Sequence, residues 1–169
     1  WKAKTVKFEK DNFGRLPEEA RAIITITCVD NVQARFGVAE ILKELSYRRH
    51  YQDEPKYWLD FGNSQHTGQV LLSTIGEIKQ PYSEKYQTVA SLPFVTDEFG
   101  ELLKQSEQED NTPSCSLAEA LEHQDLFINS SLTQMGCSLL WNLFRRGMTE
   151  YKGFFHNLKG FRTHPIKIA

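Results

Sequence analysis

Apolar and polar positions divide the chain into stretches of two different periods. Ala22 to Asp30 (Ala-Ile-Ile-Thr-Ile-Thr-Cys-Val-Asp) is a β-branched run without charge alternation. That is the pattern of a strand buried on both faces of a parallel sheet. The run stops at Asp30-Asn31, and Val32, Phe36, Ala39 and Leu42 then recur at spacings of four and three. This predicts a helix to about Leu45, with Arg48 and Arg49 beyond its end. A strand that feeds directly into a helix is a βα unit, so the pattern predicts an α/β fold.

Tyr57–Phe61 and Gln69–Thr74 read as two more strands, separated by a glycine-bounded loop from Gly62 to Gly68. From about Ile75 to Pro113 no strong period appears, and Pro81, Pro93 and the acidic Glu101–Asp110 stretch predict a long, mostly irregular crossover over 75–115. Asp125 to Arg146 is the best helix: Ile128, Leu132, Met135, Leu139 and Leu143 form one stripe. Arg145, Arg146 and Gly147 supply matching stop signals. The period then falls towards two, which predicts a hairpin of Tyr151–Asn157 and Phe161–Ile168 joined at Leu158–Gly160. A short strand at Thr5–Phe8 and a turn at Gly14–Pro17 complete the reading.

Composition narrows the class. With 169 residues, 40% hydrophobic and 25% charged, the chain is one ordinary globular domain with enough length for a core. No apolar run approaches the roughly 20 residues of a membrane helix. A net charge of −2 gives no electrostatic case for nucleic acid. The charge is nevertheless uneven: nine acidic residues stand against Lys104 between Thr96 and Asp125, and six basic residues against Glu150 from Arg145 onward. Each run reads as a solvated face or as a docking surface. Cys28, Cys115 and Cys137 are sparse and unpaired in spacing. They make neither a zinc ribbon nor a disulfide framework, which points to a reducing cytoplasm. Cys28 in its strand and Cys137 in its helix read as small buried residues.

Two positions could carry chemistry. Asp30 lies at the C-terminal end of a strand, where open α/β sheets place their ligands, and a carboxylate there can hold Mg²⁺. The competing reading is that Asp30 or Asn31 caps the next helix. Cys115 precedes Ser116-Leu-Ala-Glu119, a capping-box spacing that predicts a helix starting at Ser116. A thiol just outside a helix N-terminus has the setting of a nucleophile, although an incidental cysteine beside an N-cap explains it equally. The histidines show no ligand spacing, and neither GxGxxG nor GxxxxGK[ST] occurs.

Cys28-Val-Asp-Asn-Val-Gln-Ala-Arg35 resembles the strand-end Asp-Asn-x-x-x-Arg segment of the ThiF, MoeB and ubiquitin-activating-enzyme family. Leu59-Asp-Phe-Gly62 and Thr67-Gly-Gln-Val70 are similar to its paired strands, and Pro113-Ser-Cys-Ser-Leu117 to its thioester-cysteine segment. The blocks follow the family order over about residues 20 to 168. Ser114–Gly147 and Tyr151–Lys159 most resemble ThiF-family proteins of bacterial PRTRC systems.

The resemblance implies a Rossmann-like, ThiF-type sheet flanked by helices. It implies ATP and Mg²⁺ as cofactors, with Asp30 and Asn31 at the nucleotide, Asp30 on the metal, Arg35 as a positioning residue and Cys115 as the catalytic thiol. It also implies a ubiquitin-like partner, a conjugating-enzyme-like protein and a homodimer, in a bacterial cytoplasm without membrane or nucleic acid. The family's glycine loop, its ribose-binding acidic residue and its phosphate-binding arginine and lysine would lie upstream of Trp1. The paired zinc cysteines of many relatives do not occur. The chain is therefore expected to be the C-terminal portion of a single adenylation domain, inactive by itself. The alternative is a non-catalytic scaffold that binds the ubiquitin-like partner.

Overall fold

The structure is a computed structural model that describes residues 22–47, 55–109 and 124–168, together with residues 3, 5 and 8. The architecture is α/β. A five-stranded mixed sheet runs in the order β1 (Ile24–Thr27), β2 (Tyr57–Asn63), β3 (Thr67–Thr74), β4 (Tyr151–Asn157), β5 (Arg162–Lys167). Among the described residues only β1 and β2 are parallel, and every later pair is antiparallel. The parallel character thus belongs to the βα unit built by β1 and helix α1 (Val32–Tyr47).

Side chains on alternate faces of the sheet feed two cores, as a period of two requires. On one face Trp58 and Leu71 pack with Val32, Val38, Ala39 and Leu42 of α1. Phe94 and Val95 join them, with Leu103 from helix α3 (Gly100–Glu109); Val95 opens the short helix α2 (Val95–Glu98). On the other face Leu59, Val70 and Leu72 pack with Ile128, Leu132, Leu139, Leu140 and Leu143 of helix α4 (Ile128–Arg146). Gly147 ends α4 with φ 68°, and its N–H donates to Leu143 O at 2.8 Å, an αL cap. No helix among the described residues is long and apolar enough to cross a membrane.

Several expectations are corrected. Residues 22–30 are not buried on both faces. Only β2 pairs with β1 among the described residues, and Ile26 is 54% exposed. Cys28 and Cys137 are exposed rather than buried: one follows the end of β1, the other lies on the outer face of α4. Gly62 and Gly68 do not bound a loop but sit inside the β2–β3 hairpin, whose connection is Ser64–His66. Gly68 is closely packed, since a Cβ there would meet Leu132 and the Gly62 carbonyl, whereas one on Gly62 would meet the side-chain ends of Gln69 and Arg35.

Among the described residues the crossover is irregular as far as Phe94 and helical over Val95–Glu98 and Gly100–Glu109, where Phe99 and Leu103 pack on the sheet. Within it, Asp97 accepts from Lys43 Nζ at 2.6 Å and Glu98 from Lys152 Nζ at 2.6 Å, so these two acids tie α2 to α1 and β4. The hairpin β4–β5 forms as its pattern predicts, with Phe161 in the turn at φ 47°. Most of the strand expected at Thr5–Phe8, the turn at 14–17 and the helix start at Ser116 lie outside the described residues.

Candidate functional site

The site is built on the turn from β1 into α1. Asn31 caps the helix: its Oδ1 accepts the Ala34 N–H at 2.7 Å and its carbonyl accepts the Arg35 N–H at 3.3 Å. The Asn31 Nδ2 donates to Asp30 Oδ1 at 2.9 Å. The two readings of this dipeptide therefore divide between its members. Asn31 does the capping, and Asp30 stands one residue outside, solvent-exposed, with its carboxylate near the positive end of the α1 dipole.

Beneath this turn lies a buried polar chain. Trp58 Nε1–H donates to Thr27 Oγ1 at 2.7 Å, and Thr27 O–H donates to Asp60 Oδ1 at 2.7 Å. Arg35 Nε donates to Asp60 Oδ2 at 2.8 Å. Arg35 Nη2 reaches the carbonyls of Val29 at 3.2 Å and Phe61 at 3.3 Å. The pairing of Thr27 with Asp60 across β1 and β2 sets this up, because both then face α1. One guanidinium thus clamps α1 to the ends of two strands and fixes where the Asp30-Asn31 turn sits. Each donor polarises the next, which strengthens a fully connected chain in a low-dielectric interior.

Burial pushes the Asp60 carboxyl above its ordinary range. The Arg35 guanidinium and the Thr27 hydroxyl act against that push without cancelling it. Burial first, and the Asp60 charge second, also push the Cys28 thiol up. Cys28 is therefore a thiol at neutral pH and a poor nucleophile, despite its exposure.

Of the residues singled out by sequence, Asp30, Asn31 and Arg35 meet in one place. Cys115 and its surrounding segment lie outside the described residues. Thr27 and Trp58 were marked by no motif; Asp60 stood within the Leu59-Asp-Phe-Gly62 similarity but was given no role, and the signal for it was a carboxylate inside the otherwise apolar Tyr57–Phe61 run. Asp30 presents the right donor for Mg²⁺, an exposed carboxylate oxygen, and Mg²⁺ needs only one or two such groups beside nucleotide phosphates. Asp60 does not fit that role, since its two oxygens are already bonded to Thr27 and Arg35. Compared with known proteins, the chain matches no family model and no curated sequence.

Proposed function

We propose that this chain is part of a ThiF-type enzyme that uses ATP to activate the C-terminus of a ubiquitin-like protein in a bacterial cytoplasm. The observation that carries the reading is the exposed Asp30 carboxylate at the C-terminal end of β1, in an Asp-Asn-x-x-x-Arg segment whose Arg35 is clamped beneath it. The order of the similar segments, from Cys28–Arg35 through Leu59–Gly62 and Thr67–Val70 to Pro113–Leu117, supports it too.

Magnesium ATP, when bound, supplies an electrophilic α-phosphorus for the partner's terminal carboxylate. Asp30 would hold the magnesium, and Asn31 keeps the turn rigid through its cap. Arg35 positions both through Asp60. Cys115 would be the thiol that accepts the acyl group as a thioester, with AMP as the leaving group. A conjugating-enzyme-like protein receives the acyl group, and a homodimer is the working assembly.

The test is pyrophosphate exchange into ATP by the intact parent protein with its ubiquitin-like partner. Exchange should require the partner and fall by at least about 100-fold in Asp30→Ala, as loss of a transition-state electrostatic contact does. Undiminished exchange in that variant overturns the metal role. A thiol-sensitive adduct with the partner should vanish in Cys115→Ala, and its persistence removes Cys115 from the reaction. Partner binding without any exchange points instead to a scaffold.

A further inference from the structure

A concave site lies at the opposite end of the sheet from Asp30. It is a cavity of about 690 Å³ between residues 80–92 of the crossover, the C-terminal half of α4 and the start of β4. Tyr57 and Thr74, which pair across β2 and β3, line it, whereas Asp30 follows the Thr27–Asp60 pair at the other strand end. The two sites are therefore separate in space. A volume of this size is that of a small-molecule pocket.

Its chemistry is divided. The floor is aliphatic, formed by Leu72, Leu92, Leu139 and Leu143, each at most 9% exposed. The wall carries Arg146 and Lys167, both exposed, and one acid, Glu150. The two cations outnumber that acid along the wall. The cavity therefore combines an aliphatic base with a mainly cationic wall. Tyr57 adds a half-buried phenol, which burial keeps protonated and able to donate.

We propose that this cavity binds an amphipathic monoanion, a linear alkyl carboxylate, with its chain on the four leucines and its head group on Arg146 and Lys167. A neutral lipid of the same length would fill the floor but leave both cations unpaired. A compact anion such as phosphate would satisfy the cations but leave the apolar floor facing water. Only a ligand with both parts matches the wall and the base together.

Titration calorimetry of the full chain with decanoate, and with 1-decanol as the uncharged arm, tests this. Saturable one-to-one decanoate binding is expected, with 1-decanol weaker by about tenfold. Arg146→Gln with Lys167→Gln should remove that difference by weakening decanoate about tenfold and leaving 1-decanol unchanged. Thr88→Trp and Asn142→Trp place bulk in the cavity from its two sides, and either should abolish binding with the melting temperature kept. Absence of saturable binding, equal affinity for the two probes, or full binding in both tryptophan variants overturns the proposal. Phosphate competing with decanoate at equal strength would also overturn it.

Discussion

Arg35 and Asp60 meet in the interior, Nε to Oδ2 at 2.8 Å, with side chains only 5% and 1% exposed. They come from different elements, α1 and β2, and the pair decides how the helix leaves the strand. Removing one partner strands the other charge in low dielectric. Asp60→Ala or Arg35→Ala should each cost about 3–5 kcal/mol in urea unfolding. Arg35→Met combined with Asp60→Leu should cost much less than the sum, because no buried charge remains. An additive double variant would show that the two residues do not act as a pair.

The carboxyl of Asp60 is also a pH probe. Its folded value is raised above its ordinary one near 3.8, so the folded state holds the proton to a higher pH than the unfolded chain. The stability linked to this proton is fully present below the ordinary value and is lost as pH rises through the folded value. The difference in unfolding free energy between the wild type and Asp60→Asn should follow that course, since the other carboxylates cancel. A difference that instead grows as pH rises towards the ordinary value near 3.8 and is flat beyond it would mean that Arg35 outweighs burial.

Thr27 serves two neighbours at once, accepting from Trp58 and donating to Asp60. Trp58→Phe removes one donor and should lose about 1 kcal/mol for the hydrogen bond, besides any change in packing. Thr27→Val leaves both the indole N–H and one carboxylate oxygen unpaired. It should cost more, about 1–3 kcal/mol for each orphaned group. Chemical denaturation of the two variants gives the ranking directly, and a reversed order would break the proposed chain of donors.

Asp30 and Asn31 are adjacent but should separate cleanly. Asn31→Ala loses the cap on Ala34 and should lower stability by about 1 kcal/mol, whereas Asn31→Asp should keep most of it. Asp30→Ala should stay within about 0.5 kcal/mol of wild type, as exposed surface changes do. Thermal melts of the three variants test this. A large loss in Asp30→Ala would make it a structural residue and weaken its assignment to a metal.

Gly147 sits at φ 68°, where a Cβ is disfavoured although no atom lies in its way. Gly147→Ala should therefore cost about 1–2 kcal/mol through the backbone alone. Gly147→Asn should recover part of that, since Asn tolerates this conformation. Equal stability of the alanine variant would mean that the end of α4 relaxes into another cap.

Helix α4, its glycine stop and the closing hairpin are legible because each depends on neighbours within a few positions. The stripe Ile128, Leu132, Leu139 and Leu143 lies on one face whichever partner it packs against. The exposure of Cys28 and Cys137 is not legible in this way. A small apolar residue in an apolar element says nothing about whether that element has a covered outer side, and here β1 and α4 both leave one open. The acidic stretch misleads for a related reason: Phe99 and Leu103 provide the packing that makes it helical, and two of its carboxylates find lysines on distant elements.

The Arg35–Asp60 pair shows the same division. Local pattern alone determines that a strand ends near Asp30, that a helix follows at once, and that a carboxylate occupies the turn. Only the tertiary structure decides that Arg35 reaches 25 positions along the chain to Asp60, and that Asn31 takes the cap while Asp30 faces solvent. Periodicity reports how a side chain alternates between environments within one element. Which partner neutralises a buried charge depends on strand register and helix placement, and these exist only once distant segments have packed.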